Sequence, residues 1–554
     1  MWWEAAAGAA LAGLLLYRWL TRNFDYWSKR GVAGPTPILF FGNAKDTTYR
    51  RTTYYAFFED NYNAYPKEKI VGLVRMWHPC VLIRDLDLIQ HVMIKDFDNF
   101  VDRGFGFSET GLGMNLFNVD GDSWRVLRSR LSPIFSSGKL KNIFYLIHDR
   151  GDKFIQYLGP LVKANPDQDV YQLVLRFTVA TIGACAFGID IEMAYNDTIF
   201  NKLEKIIFKS SFVIELEIMF PGILKKLNIS LFPSVIKNFF YDLVDDIVKI
   251  RNGVPSTRKD FMDLMLELEN AGEIHSFKKD VNDKNRSLHI TKDVMAGQAF
   301  IFYAGGFETS ASTVSFLLHQ LALNQDIQER VVREIDRVLM EHGGDLTYES
   351  LKGMPYLDQV VKETLRMYPV IDPLSRRALR DYHLPGAGVV LPAGMPVLVS
   401  VRGIHYDPKY YPQPHTFDPD RFTTDNVKKR HPCAYLPFGL GPRNCVGMRF
   451  AHIQTRVCVI KLLRKYRVET SKETRDIEFD TAKPILGSKY GIPLKIALNG
   501  GSQKTQFGGR SIRSFAIWIG GGLRKGWWGN PSPARERFSG APLSPQWRVG
   551  DSRQ

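Results

Sequence analysis

Cysteine is scarce in this chain. Five thiols, Cys80, Cys185, Cys433, Cys445 and Cys458, are spread over 554 residues. The number is odd and no pair has Cys-x-x-Cys spacing, which excludes a disulfide framework and structural zinc and suits a reducing compartment. No glycine-rich flavin or nicotinamide fingerprint is present, so redox chemistry would need electrons from another protein. No internal repeat is visible. Basic stripes, fingers and RNP-like motifs are also missing, which excludes nucleic acid as a partner. The net charge of +15 does not change that, because residues 500–554 alone hold nine Lys/Arg against two Asp/Glu. The milder excess of the body suits an anionic membrane surface or an acidic protein partner.

A full-length apolar run is lacking too. The uncharged stretch Ala5–Tyr17 has thirteen residues, short of the roughly 20 that span hydrocarbon, although Trp2, Trp3 and a snorkelling Arg18 extend it. A cleaved secretory signal has an apolar core of this length. The charges favour an anchor: Glu4 precedes the run, while Arg18, Arg22, Lys29 and Arg30 follow it. Positive residues stay cytosolic. Residues 1–20 therefore read as an uncleaved membrane anchor, with the body facing the cytosol, and residues 21–37 as a basic linker with a Pro-rich hinge at GPTP.

From 140 to 370 helical periodicity dominates, as in YDLVDDIVKIR and DIQERVVREIDRVL. Short strands broken by Pro and Gly follow, as in YHLPGAGVVLPAGMPVLV, and VGLVRMWHPCVLIRD is a further β-like piece. The expectation is one mainly α domain with a minor β part over 38–499. Residues 500–554, rich in Gly, Ser, Pro and Arg, have little apolar face to bury and read as a disordered or spurious tail.

One thiol stands out. Cys445 lies in FGLGPRNCVG, just before a helical pattern, where the helix dipole and free backbone N–H groups favour thiolate. A thiolate is a nucleophile or a metal ligand. The nearest histidines, His431 and His452, form no Cys/His protease pattern. A single cysteine instead fits a haem, whose iron needs one strong axial ligand. Gly439, Gly441 and Gly447 would let the backbone pass under a flat macrocycle, and Arg443 would pair with a propionate.

The pattern Phe438-Gly439-x-Gly441-x-Arg443-x-Cys445-x-Gly447 resembles the haem-thiolate signature of the cytochrome P450 superfamily. Three further segments agree in order and spacing, over residues 30–499. Glu363 and Arg366 in KETLR are an ordinary helix-surface pair by spacing alone; the resemblance implies a buried network with Arg421 of FDPDRF that fixes the cysteine loop. The segment GQAFIFYAGGFETSASTVSFLLHQL is an apolar helix with glycines that cost stability. The plain reading is close packing, with Thr309 bonded back to a carbonyl. The resemblance implies a distal helix on which Gly305 and Gly306 make room for O2 while Glu308 and Thr309 guide protons. Trp124 and Arg128, four apart on one helix face, are implied propionate contacts, as is Arg376, with Arg377 beside it as the competing assignment.

The resemblance further implies the P450 haem-thiolate fold behind a membrane anchor, haem b and O2, and NADPH acting through NADPH–cytochrome P450 reductase, with cytochrome b5 as another donor. Arg443, Arg449, Lys428, Lys429 and Arg430 are candidate contacts for that reductase. It places the protein at the endoplasmic reticulum membrane. Within the superfamily, DYHLPGAGVVLPAGMPVLVSVRGIHYDPKYYPQPHTFDPDRF is most similar to insect and other arthropod detoxification enzymes of microsomal type. Substrates would be lipophilic: plant toxins, insecticides, steroids or terpenoids. The implied pocket segments are 105–117, 212–220, the distal helix and Val370–Leu374. Two alternatives stand: a haem-thiolate isomerase or dehydratase, and a non-catalytic haem- or ligand-binding duplicate.

Overall fold

The computed structural model describes residues 2–104, 111–193, 231–256, 260–275 and 287–499, with scattered positions between 203 and 229. Helix α1 (Trp2–Thr21) stands almost wholly exposed. Its end is held where Leu20 packs against Met76, Trp77 and Leu39 and the Trp19 and Trp77 rings lie 4.9 Å apart. Among the described residues, the helical stretch long and apolar enough to cross a membrane is Val170–Phe187, and it is buried inside the protein.

The chain then forms a hairpin of β1 (Ile70–Arg75) and β2 (His78–Ile83). Next come α2 (Gly121–Leu131), α3 (Ser137–Ala164), the short strand β3 (Asp167–Asp169), α4 (Val170–Ile182), α5 (Ser234–Ile250), α6 (Lys292–Leu323) and α7 (Pro355–Met367). Strands β4 (Leu374–Arg377) and β5 (Pro396–Val399) return to the hairpin and complete a sheet ordered β1-β2-β5-β4. Helix α8 (Met448–Leu463) leads to β6 (Tyr466–Thr470) and β7 (Pro493–Leu498), which pair with each other, and β7 also pairs with β3.

Helix α6 sets the architecture. It is apolar on nearly every face, so it must be buried on all sides, and it packs against α4, α5, α7 and α8. Its start is well terminated: Thr291 accepts from the Val294 amide, a side-chain cap that satisfies an otherwise orphan donor. Asp293, in the first turn, accepts from the Gly111 amide at 2.8 Å and from the Tyr241 hydroxyl of α5. Gln298, one to two turns on, donates to the Met114 carbonyl at 2.7 Å and accepts from the Leu116 amide at 3.0 Å. Loop 111–117 is thus stitched along the first turns of the central helix.

The sheet has its own core, and that core contains a surprise for the expected linker. Trp27 and Val32 are buried in it. The Trp27 indole donates to the Leu73 carbonyl at 2.9 Å, and its ring lies where a methyl on Gly72 would come within 2.2 Å. The Gly72 amide donates to Ala33, and Gly34 backs onto the Gly72 carbonyl. Residues 27–34 are therefore a docked extension of the sheet and not a free hinge; the apolar indole outweighs the basic composition around it. Replacing Trp27 with Ala should lower stability by about 3–5 kcal/mol, read as a lower midpoint in urea denaturation; an unchanged midpoint would mean the segment is loose.

Candidate functional site

Residues 436–447 form a tight loop before α8. The Gly439 amide donates to Leu436, Asn444 to Gly441, and Cys445 to Phe438 at 2.8 Å. Gly439 and Gly441 have φ of +71° and +75°, and a methyl on Gly441 would lie 1.9 Å from the Met93 carbonyl. Only glycine satisfies both conditions. Gly447 differs: its φ is −85°, and a methyl there would make ordinary contacts with Phe135 and the Cys445 sulfur. The glycines at 439 and 441 thus serve the turns of the loop and its approach to Met93.

Cys445 is open and enclosed at once. Its surface is accessible, while burial pushes its thiol pKa up, opposed by the Gly447 amide, Arg128 and Arg103. A group that is exposed on one side yet desolvated by its surroundings lines an interior space. Phe438, half-buried, packs its ring 5.3 Å from His452.

Arginines gather around that space. Arg128 donates to the carbonyl and side-chain oxygens of Asn444, both at 2.7 Å, next to the thiol. Arg443 is buried, bonded to Val101 and Val119 carbonyls and to Asp120, with its guanidinium 4.9 Å from the buried Trp124 ring. Arg376 is buried and donates to Ser375. Its neighbour Arg377 turns outward to pair with Asp102 at 3.1 Å, which separates the two assignments the sequence left open. Burial pushes Arg376 down to about 9 and Arg443 to about 10, and Arg443 adds its repulsion to Arg376. Arg103 is pushed down by burial and by both of them. The Nε atoms of Arg103, Arg376 and Arg443 are buried without a partner, a costly arrangement for charged donors.

Beneath the loop, Glu363 and Arg366 of α7 are fully buried and doubly bonded, at 2.7 and 2.8 Å. Arg421 approaches Glu363 at 3.4 Å, and the Asp418 amide donates to it at 3.0 Å. Arg366 also donates to the His405 carbonyl. His405 itself was not legible in the sequence. Its Nδ1 donates to the Arg366 carbonyl at 3.0 Å and its Nε2 accepts from the Leu436 amide at 2.9 Å, so one neutral imidazole joins the ion pair to the start of the cysteine loop. Burial, aided by Arg366, Arg430 and Arg402, depresses its pKa to about 3.

On α6 the structure separates residues that the sequence grouped. Gly305 is exposed with nothing near a methyl placed on it, whereas a methyl on Gly306 would come within 2.4 Å of Ile182. Gly306 therefore serves the close approach of α4. Thr309 bonds back to the Gly305 carbonyl at 2.7 Å. The buried Glu308 turns elsewhere: Tyr171 of α4 donates to it at 2.6 Å and Lys483 at 3.2 Å. Residues 105–110 and much of 212–220 lie outside the described residues. Of the basic residues expected to meet a redox partner, Lys428, Lys429 and Arg449 are exposed, but Arg443 is buried and Arg430 bonds the Arg421 carbonyl.

The family model for cytochrome P450 matches residues 32–493. The chain belongs to the cytochrome P450 family. It is 51% identical over 488 residues to Cytochrome P450 6B2 of Helicoverpa armigera, covering 87% of this chain and 95% of that protein. It is 53% identical to Cytochrome P450 6B5 of Papilio glaucus (83% and 96%) and 36% identical to Cytochrome P450 6a2 of Drosophila melanogaster (88% and 98%). This P450 is a haem-thiolate monooxygenase that works with haem, O2 and electrons from NADPH delivered through a reductase, on lipophilic substrates.

The residues present fit a haem. A thiol opens onto interior space, and buried guanidiniums with unpartnered Nε atoms surround it; a haem brings two propionates that such donors bind by charge-assisted hydrogen bonds. Arg103 belongs to this cluster and was missed in the sequence, where a lone arginine in VDRGF carries no signal.

The buried histidines predict acid sensitivity. His405 and His452 have pKa values lowered to about 3 and about 4, below the roughly 6.5 of an unfolded chain. The unfolded state therefore binds protons first as pH falls, and stability that is complete above pH 6.5 is lost below it. His405 alone should account for about 2 kcal/mol by pH 5. Thermal unfolding followed from pH 7.5 to 5 should show Tm falling, and the fall should be shallower in His405→Gln.

Proposed function

We propose that this P450 oxidises lipophilic xenobiotics, plant toxins and insecticides foremost, with endogenous steroids and terpenoids as the second class, and that the Cys445 sulfur would hold the haem iron. The observation that carries this reading is the Cys445 thiol open to an interior space ringed by under-neutralised arginines. Haem, when bound, supplies the oxidising chemistry, and thiolate ligation favours cleavage of the O–O bond.

The chain's own residues do the rest. Trp124, Arg103, Arg128, Arg376 and Arg443 would hold the haem propionates. Gly305 keeps the face of α6 free of side chain, and Thr309 with Glu308 handles protons. Glu363, Arg366 and Arg421 fix the loop that presents the sulfur. The overall reaction consumes RH, O2, NADPH and H+ and yields ROH, H2O and NADP+. NADPH–cytochrome P450 reductase, with cytochrome b5 as another donor, docks on the face bearing Lys428, Lys429 and Arg449. Helix α1 anchors the protein in the endoplasmic reticulum membrane with its catalytic body in the cytosol. The Arg/Lys excess after α1 supports that orientation. The xenobiotic class is supported by the similarity to insect P450s of the 6B group and by the resemblance of the 381–422 run. A proton-handling pair at Glu308-Thr309 favours oxygenation over isomerisation.

The reduced, CO-bound protein should show the red-shifted thiolate Soret band, and Cys445→Ser should lose it; a wild type without the band would overturn the assignment. With reductase, NADPH and 7-ethoxycoumarin, formation of the dealkylated product that depends on both O2 and NADPH should separate a monooxygenase from an isomerase. A chain truncated after Asn499 should keep the Soret band and its Tm, since the family match ends at 493.

A further inference from the structure

Glu308 lies on the central helix, and three elements converge on its carboxylate. Tyr171 comes from the first turn of α4, where Asp169 accepts from the Tyr171 amide and from the Ile492 amide and so fixes the tyrosine's backbone. Lys483 comes from loop 480–487, which is closed by the Asp480 amide on Gly487 and the Lys483 amide on Asp480, and is tied to the substrate side by Leu486 donating to Val370. The lysine stem lies against Gly487, within 3.1 Å of where a methyl would stand. Its Nζ is 3.2 Å from Glu308, 3.4 Å from the Tyr171 hydroxyl and 5.0 Å from the centre of the tyrosine ring.

The exposures within this trio differ in a telling way. The Glu308 side chain is 1% exposed, whereas that of Lys483 is 23% exposed. The carboxylate therefore meets the outside through the ammonium group. A buried ion pair is a poor stabiliser compared with apolar packing of the same volume, so stability does not account for a carboxylate in the middle of an apolar helix paired with a lysine from a distant loop. Its location does: the next residue is Thr309, bonded back to Gly305 at the open side of α6.

We infer that Lys483 and Tyr171 are positioning residues for proton delivery, holding the Glu308 carboxylate oriented between the solvent side and the Thr309 side of α6. The inference rests on the reading of Glu308 as the distal acid. Monooxygenation takes up two protons per two electrons, RH + O2 + 2e− + 2H+ giving ROH + H2O, whereas mistimed delivery gives O2 + 2e− + 2H+ → H2O2. The clamp acts on how those protons arrive and leaves the electron supply untouched.

The test uses full-length protein with its haem, the reductase and 7-ethoxycoumarin. Lys483→Met should raise the ratio of NADPH electrons ending in H2O2 to those ending in product by about fivefold or more, on the scale of losing one charge-assisted hydrogen bond, and should enlarge the solvent deuterium isotope effect on product formation. Lys483→Arg should restore both, and Tyr171→Phe, a milder change should Lys483→Met fold poorly, should move both in the same direction by less. Independently of turnover, urea unfolding of Glu308→Gln, Lys483→Met and the double variant should be non-additive. Wild-type H2O2 partition and isotope effect in Lys483→Met, or additive unfolding, would overturn the clamp. The CO spectrum keeps the two readings apart: its absence in the wild type would refute the haem-thiolate assignment, while an intact band in every variant with unchanged partition would refute the clamp alone.

Discussion

The doubly hydrogen-bonded pair of Glu363 and Arg366 is the constraint on which the cysteine loop depends. Both residues are removed from water, and neither can lose its partner without leaving a bare charge in the interior, a penalty on the order of 3–5 kcal/mol. The pair is therefore all-or-none. From it the chain of bonds runs through the neutral imidazole of His405 to the Leu436 amide, and from the Phe438 carbonyl to the Cys445 amide. Arg421 and the Asp418 amide close the other side. The position of one sulfur is set by backbone groups, each of which is fixed in turn by a buried charge.

The two sides of the interior are built on opposite principles. On the thiol side, polar order prevails: hydrogen-bonded turns, glycines forced by a left-handed φ or by a carbonyl, and arginines whose charge is only partly balanced by Asp120 and Asp102. On the α6 side, packing prevails, and polar groups such as Gln298, Glu308 and Thr309 are set singly into an apolar helix. Even there the two glycines divide their work, one leaving its surface open and the other admitting Ile182 of α4.

Local sequence carried much of this. The spacing of three put Glu363 and Arg366 on one helix face, and the apolar texture of 297–321 announced a helix with no solvent side. What the sequence hid were long-range partners. Lys483 is 175 positions from Glu308, in a loop with nothing to distinguish one lysine from another; Arg103 takes its meaning from Arg443, 340 positions away, and His405 from Arg366 and Leu436, 39 and 31 positions away. Composition also misled: residues 21–37 look like a connector because they are basic and end in prolines, yet one indole buried over Gly72 binds the segment to the sheet. Adjacent residues are turned about 100° apart on a helix, which is why Glu308 and Thr309 read as a pair in sequence and face different neighbours in space.

Asp293 has a consequence for how the protein can breathe. A single carboxylate serves the Tyr241 hydroxyl of α5 and the Gly111 amide of the neighbouring loop. The two donors use different oxygens of that carboxylate, Tyr241 on Oδ1 and Gly111 on Oδ2, so releasing the loop and α5 together means stripping the carboxylate bare at the start of the central helix.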